Sequence, residues 1–449
     1  MKEKFYLDEI AFRSRAKLIG ESISINGFSI DTRSLTAGNL FIALRGKNFD
    51  GHNFLKEARN KGAAALVVDR SIETDLPMLM VEDTNNFFKK LAISNRDNFY
   101  GMVIGITGSN GKSSTKEILA SLLSTKKNCH QTRGNKNNQI GMPLSMANLT
   151  NNYDCSILEL GTSSRGEISI LKNISKPNVA LITNAHASHL SGLGSVDLVA
   201  EEKGCIADFC HEDGILVLLR ESNYYQYWKK QTNASKVISF GKHPDADFQI
   251  YNIEVNLPSN KTTFCLKTKK IDLTCELNGI GEPNALNAAG ALAICDSMGI
   301  DLEAVIPNLK EIKFPERRMS VHPLRDNSYL IDDSYNANPE SMKRSIDLLD
   351  QVCFPTKILV AGQMGELGDE SIHFHSEVAE YAKNKIEHLF CVGDFWKRGI
   401  EVFGNGAILF NSNEELINYL SSIEKTNTVI AVKGSRSSRM DEVSDILIN

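Results

Sequence analysis

No run of apolar residues in this 449-residue chain approaches the roughly 18 needed to cross a bilayer. The opening stretch, Met1-Lys2-Glu3-Lys4-Phe5-Tyr6-Leu7-Asp8-Glu9, is charged and lacks the apolar core of a secretory signal, so no signal peptide is expected. Cysteine is thinly spread. Nine stand at 129, 155, 205, 210, 265, 275, 295, 353 and 391, an odd number with no Cys-x-x-Cys. That pattern excludes a disulfide framework and speaks against zinc; reduced, mostly buried thiols in a cytoplasmic protein are the expectation. Neither sign of charge dominates: 50 Lys and Arg face 55 Asp and Glu, a net −5. A general polyanion binder is therefore excluded, and no nucleic-acid partner is expected. There is no internal repeat, low-complexity tract or long linker.

What is present is an ordinary globular composition, 42% hydrophobic and 23% charged. At roughly 150 residues per domain, the length suggests about three domains. Residues 1–84 mix short strands (Leu40 to Leu44, Ala63 to Val68) with a helix from Asn53 to Lys61. Asn85 to Asn98 is a helical connector. From Met102 an apolar strand opens a second unit, residues 85–314, with further strands at 156–160, 179–183 and 214–219 and helical stretches between most of them. Alternation of this kind predicts a largely parallel α/β sheet. Residues 236–278 alternate polar and apolar and predict an antiparallel appendage. Asn284 to Met298 predicts a small-residue helix able to pack closely on a sheet. Beyond Phe314 the alternation restarts, predicting a second, smaller α/β domain over 315–449. The fold class is thus α/β throughout.

The most informative segment is Gly108-Ser109-Asn110-Gly111-Lys112-Ser113-Ser114, between the Met102 strand and a helix from about Ser113 to Leu123. Backbone N–H groups and a helix N-terminus there can hold phosphate. Glycine permits the close approach, Lys112 can neutralise β/γ-phosphates and the Ser113 hydroxyl can coordinate Mg²⁺. From Thr107 the pattern is T-G-x-x-G-K-S, shorter than the usual G-x-x-x-x-G-K-[ST]. Glu159 ends an apolar strand at the sheet edge where ligands bind, and is the first-choice metal carboxylate. Asn184, His186 and His189 follow another strand and should emerge on the same edge; His189 is the strongest of the three. Lys203, by pattern alone, is a surface lysine.

Together these residues resemble the Mur ligase family, ATP-dependent amide-bond-forming enzymes of peptidoglycan precursor synthesis. The resemblance implies three domains: a small α/β substrate domain, a P-loop-type ATPase domain and a Rossmann-like C-terminal domain. Further segments carry it: Ile331-Asp332-Asp333-Ser334-Tyr335-Asn336-Ala337-Asn338-Pro339-Glu340-Ser341-Met342, Met364-Gly365-Glu366-Leu367-Gly368 with His375, and Val432-Lys433-Gly434-Ser435-Arg436 with Met440. So do Thr132-x-Gly134-Asn135-x-Asn137-Asn138-x-Ile140-Gly141-x-Pro143, Asp31-Thr32-Arg33 and Ala43-Leu44-Arg45-Gly46-x-x-Phe49-Asp50-Gly51-His52. These are similar to the branch of the family that consumes D-Ala-D-Ala and a UDP-MurNAc-tripeptide. The alternative is a related ligase joining another carboxylate and amine.

The resemblance implies ATP and two Mg²⁺ as cofactors, with Ser113, Glu159, His189 and a carbamylated Lys203 at the metals. Lys112, Lys203 and His189 are the expected catalytic residues. Gly108, Ser109, Asn110, Gly111, Lys112, Ser113, Ser114, Asn284, Arg318 and Asp333 are expected ATP contacts. Thr32, Arg33, Arg45 and His52 are expected at the UDP end, where arginine suits a diphosphate. Asn135, Asn137, Asn138, Asn336 and Asn338 are further expected substrate residues. A monomer is implied. Four departures stand out: Cys205 where glutamate is usual, Pro283 for histidine, Gln363 for aspartate, and no Asn-x-Asp pattern over Leu219 to Ser222.

Overall fold

The computed structural model describes residues 5–448. Three large sheets follow one another along the chain, beside two two-stranded ribbons in the first unit. The first has five short strands in the order Lys17–Ile19, Met78–Met80, Ala65–Val68, Leu40–Ile42 and Phe28–Ser29. Its inner strands are parallel and apolar on both faces, as in Ala65–Val68, where all four residues are buried. The helix Thr84–Asp97 lays Phe87, Phe88 and Leu91 on this core and places Ala92 in the next one.

The second sheet has nine strands, in the order Cys129–Gln131, Cys155–Glu159, Met102–Thr107, Val179–Ile182, Ile215–Leu219, Lys236–Gly241, Phe248–Asn256, Lys261–Lys267 and Asp272–Asn278. Neighbours are parallel as far as Phe248–Asn256, then antiparallel. Residues 236–278 are thus antiparallel only from Phe248–Asn256 onward. Lys236–Gly241 pairs in parallel with Ile215–Leu219, and the hairpins extend the same sheet. Alternating polarity marks a half-exposed strand but does not say which neighbour it pairs with.

Apolar cores lie on both faces of this sheet. On one, the helices Lys112–Leu123 and Glu282–Ser297 share a core with the strands. The small residues of Glu282–Ser297 permit the approach: a Cβ at Gly290 would lie 2.9 Å from Leu181 Cδ1. On the other face, Glu167–Ser175 and Val196–Gly204 pack with Trp228.

The third sheet runs Ser320–Pro323, Tyr329–Asp333, Thr428–Lys433, Thr356–Ala361, His388–Val392 and Ala407–Phe410, parallel except for its first pair. All nine cysteines are free. Among the described residues no helix is long and apolar enough to cross a membrane.

Candidate active-site cleft

The strand order of the central sheet decides where chemistry can gather. Met102–Thr107 lies between Cys155–Glu159 and Val179–Ile182, with Ile106 beside Glu159 and Thr107 beside Ile182. The chain leaves this central strand to opposite sides, the crevice position at which parallel sheets bind ligands. The phosphate loop, Glu159 and the segment from Thr183 to His189 emerge there side by side.

The loop is shaped for an anion. Gly111 precedes the helix Lys112–Leu123 at φ +85°, and no side chain caps the helix N-terminus, leaving N–H groups for a ligand. A Cβ on Gly111 would lie 2.5 Å from Asn287 Oδ1. Gly111→Ala is therefore expected to weaken binding of an ATP analogue by at least about tenfold, read by titration calorimetry, because the strained φ and the clash both displace the N–H groups. The neighbouring segment holds the loop from behind. Thr183 Oγ1 donates to the Asn110 carbonyl (2.6 Å) and the Asn110 N–H donates to Asn184 Oδ1 (2.9 Å). Ser109 Oγ lies 2.9 Å from Ser188 Oγ.

Lys112 Nζ donates to the carbonyls of Gly108 (2.6 Å) and Ser109 (3.3 Å). Burial depresses its pKa, opposed by Glu159 and assisted by Arg318. Ser113 Oγ donates to Glu159 Oε2 and Asn137 Nδ2 to Glu159 Oε1, both at 2.7 Å. Glu159 is 2% exposed, and its N–H donates to Thr132 Oγ1 (3.0 Å). Lys116, also buried, donates to the Thr132 carbonyl (2.7 Å) and so braces this support.

The C-terminal sheet supplies the facing wall. Asn338 caps the helix Pro339–Gln351 and also bonds Asn110 through both amide atoms (2.9 and 3.2 Å), tying that domain to the phosphate loop. The Arg318 guanidinium stacks on Tyr335, 4.0 Å from the ring centre. Asp333 contacts Lys433 Nζ and accepts from Ser345 Oγ (3.1 Å), and Lys433 also donates to the Asn336 carbonyl (3.1 Å). The Glu366 carboxylate contacts His189 Nδ1, and the Ser191 N–H donates to the Glu366 carbonyl (3.2 Å). Burial holds the His189 pKa down, as do Lys112 and Lys203, against Glu366. The two walls enclose a cleft of about 970 Å³.

The cleft brings together Ser109 to Ser114, Asn135, Asn137, Asn138, Glu159, His189, Asn284, Arg318, Asp333, Asn336 and Asn338. Gly108 sits just behind, its backbone holding Lys112. Several of these side chains are already engaged. Asn138 Oδ1 accepts the N–H groups of Ile140 (3.1 Å) and Gly141 (2.9 Å) at a helix start, and Asn284 Nδ2 donates to the Ile280 carbonyl (2.9 Å). Lys203 is no surface lysine: it is 1% exposed, and among the described residues no carboxylate is ion-paired with it. Burial drives its pKa well below the ordinary lysine value, with Lys112 adding to the effect against Glu202.

The four residues expected at the UDP end do not line this cleft. Arg33 is exposed and forked on Asp31 (Nη2 to Oδ2, 2.7 Å); Arg45 donates to Asp69 (2.7 Å). Thr32 is buried and its carbonyl accepts from Lys61 Nζ (3.1 Å). His52 turns inward rather than presenting its ring to solvent. Its ring is buried, Nδ1 donating to Asp50 (2.7 Å) and Nε2 accepting from the Asp69 N–H (3.3 Å), so it braces the loop instead.

Sequence reasoning quoted the segments holding Glu366, Tyr335 and Lys433 without assigning them roles, and missed Lys116 altogether. Pattern gave no signal for Lys116, since a lysine in a helix is ordinarily solvated. His375 proves structural. It is fully buried, with Nε2 accepting from the Met364 N–H (2.9 Å) and Nδ1 on the Ser371 carbonyl (2.6 Å), and burial lowers its pKa to about 4. In the unfolded chain it titrates near 6.5, so the unfolded state binds more protons between the two values. Stability is then full above about pH 6.5 and falls as pH drops to 4, by about 3 kcal/mol from this group. Denaturation at stepped pH should show this fall, and His375→Gln, starting lower, should lose less across the window. Gln363 retains an acceptor: with its amide turned so that oxygen faces them, it receives the N–H groups of Asp394 (2.8 Å) and Phe395 (3.2 Å).

Comparison with known proteins agrees with this arrangement. Residues 24–98 match the Mur ligase family, catalytic domain; residues 106–295 the Mur ligase middle domain; residues 317–436 the Mur ligase, glutamate ligase domain. The UDP-N-acetylmuramoyl-tripeptide–D-alanyl-D-alanine ligase of Escherichia coli is 37% identical over 431 residues, 95% of this chain and 94% of that one. The chain belongs to the Mur ligase family. Among solved structures, a MurF from Acinetobacter baumannii superposes with a TM-score of 0.91 at 28% identity, covering 99% of each chain. The MurF ligase of Thermotoga maritima, in complex with ADP, gives 0.81 at 29% identity, over 94% of this chain and 97% of that one. Mur ligase members form amide bonds at the expense of ATP, and the phosphate loop described above is the feature of this member that suits it to the nucleotide.

Proposed function

We propose that this Mur ligase adds D-Ala-D-Ala to UDP-MurNAc-tripeptide through an acyl phosphate, giving UDP-MurNAc-pentapeptide in the cytoplasm. The end-to-end match to the E. coli ligase of that name carries the reading. The geometry supports it, because segments from two domains converge on one cleft.

The tripeptide carboxylate attacks the γ-phosphorus of ATP and ADP leaves. The D-Ala-D-Ala amine then attacks the acyl carbon and phosphate departs. The first step brings anion to anion, so positive charge is required. Lys112 and the N–H groups of the phosphate loop supply part of it, and Arg318 adds charge from the other domain. Lys433 holds Asp333 in place at the cleft wall. The Asn110–Asn338 and His189–Glu366 contacts keep the walls together and water away from the acyl phosphate. Arg33 and Arg45, paired on the first domain with Asp31 and Asp69, are the guanidinium groups assigned to the diphosphate.

The residues present fit magnesium. Ser113 and Glu159 are hard oxygen donors at the phosphate loop, and among the described residues no three His, Cys, Asp or Glu side chains form a cage of their own. A site completed by phosphate oxygens is the kind Mg²⁺ takes. Ser113 and Glu159 would hold one ion, and His189 with a carbamate on Lys203 a second, supplying charge neutralisation to the phosphoryl group. The buried Lys203 amine, with no carboxylate ion-paired to it among the described residues, suits carbamylation, which turns a repelling cation into an anionic ligand.

The test is phosphate release from ATP and Mg²⁺, with each substrate omitted in turn and diaminopimelate and lysine tripeptides compared. Release requiring both substrates, with a UDP-MurNAc-pentapeptide product by mass, is the expected result. A folded protein that binds ATP yet releases nothing with either tripeptide would move the assignment to another carboxylate and amine.

A further inference from the structure

Glu202 is 5% exposed and adjacent to Lys203 in the helix Val196–Gly204. Its carboxylate accepts the N–H of Gly166 and the N–H of Ile168, both at 2.7 Å, and the hydroxyl of Thr162 at 3.4 Å. Gly166 precedes the helix Glu167–Ser175 at φ +85° and no side chain of its own caps that helix. Glu202 therefore takes the capping role from a distant part of the chain. The capped loop is the one that leaves the strand ending in Glu159, and Thr162 and Ser163 line the cleft.

A second clamp holds the same helix. Trp228 Nε1 donates to the Ala200 carbonyl (2.9 Å), and a Cβ on Gly204 would meet Trp228 Cδ1 at 2.9 Å. The Lys203 backbone thus stands between two fixed points, one of them tied to the Glu159 loop. Cys205 lies three residues after Glu202, on the same helical face, and no carboxylate stands there to share this work.

We propose that Glu202 is the positioning residue for Lys203, registering its helix against the loop that follows Glu159, and that it does so in place of a carboxylate at position 205. The proposal rests on the reading of Lys203 as a carbamylated metal ligand. It makes the separation of Lys203 from Glu159 depend on one buried carboxylate, without any contact between Glu202 and substrate.

The experiment uses the full chain as wild type, Glu202→Ala, Glu202→Gln and Glu202→Ala/Cys205→Glu. Carbamate is read directly by ¹³C NMR after equilibration with ¹³C-bicarbonate, beside kcat, the KM for each substrate and the melting temperature. The expected result is that Glu202→Ala loses most of the carbamate signal and about tenfold to a hundredfold in kcat, with little change in KM for D-Ala-D-Ala. Glu202→Gln, keeping one acceptor oxygen, should lie between. Returning a carboxylate at position 205 should recover signal and kcat together. A Glu202→Ala protein with a lowered melting temperature but full carbamate signal and kcat would overturn the proposal and leave Glu202 as a helix cap alone. If Glu202→Ala does not fold, the Gln and double variants decide in the same way. Absence of the signal in the wild type would instead overturn the carbamate reading on which the proposal depends.

Discussion

Lys112→Met is expected to lower turnover about a thousandfold while the protein stays folded, measured as substrate-dependent phosphate release beside a melting curve. The methionine keeps the length and the apolar stem but removes the only side-chain cation within the phosphate loop. Lys112 bonds the carbonyls of Gly108 and Ser109, so its ammonium is held against the loop before any nucleotide arrives. Its lowered pKa, caused mainly by burial, marks a charge that has given up water and gains most when a phosphate replaces it. The stem rather than the charge fills the space, so the melting temperature should move little. Ground-state affinity for ADP should fall less than turnover, because the charge that develops in phosphoryl transfer is what the ammonium meets. A variant retaining more than a tenth of wild-type turnover would remove Lys112 from the chemistry.

Lys203→Met is expected to cost about a hundredfold to a thousandfold in turnover, the size of losing several kcal/mol of charge stabilisation. Lys203 is 1% exposed, without a carboxylate partner among the described residues, and its pKa lies well below the ordinary lysine value through burial and through Lys112. That direction favours the neutral amine over the ammonium, and the neutral amine is the form that attacks carbon dioxide. Stripping carbon dioxide from the buffer should therefore lower wild-type turnover, and bicarbonate should restore it. The methionine variant should respond to neither. A variant that stays active, or a wild type indifferent to bicarbonate, would leave Lys203 as a buried structural amine.

Much of this site was legible as residue chemistry at strand ends. The T-G-x-x-G-K-S segment, Glu159 and His189 each follow an apolar strand, and parallel strands deliver their C-terminal ends to one edge. The helix Glu282–Ser297 was legible from its alanines and its glycine. What the chain pattern left open was pairing. Lys236–Gly241 looks alike whether it joins the central sheet or stands apart, and the choice is made by the strand Ile215–Leu219 beside it. Burial of polar residues was equally hidden. Lys116, Glu202 and His52 are ordinary surface types, and only the folded chain shows Lys116 on the Thr132 carbonyl, Glu202 on two N–H groups and His52 between Asp50 and Asp69. Asn338 was legible as a candidate, yet its double role as helix cap and tie to Asn110 depends on how two domains meet.

The central claim is that this cleft passes the γ-phosphoryl group of ATP to a substrate carboxylate before the amide forms. The measurement that tests it most directly uses UDP-MurNAc-tripeptide labelled with oxygen-18 in its terminal carboxylate, turned over with ATP, Mg²⁺ and D-Ala-D-Ala. Mass spectrometry of the released inorganic phosphate reads the outcome. One labelled oxygen per phosphate, with the other retained in the new amide carbonyl, is the result this account predicts. Phosphate carrying no label beyond the solvent background, from an enzyme that makes the pentapeptide, would contradict it.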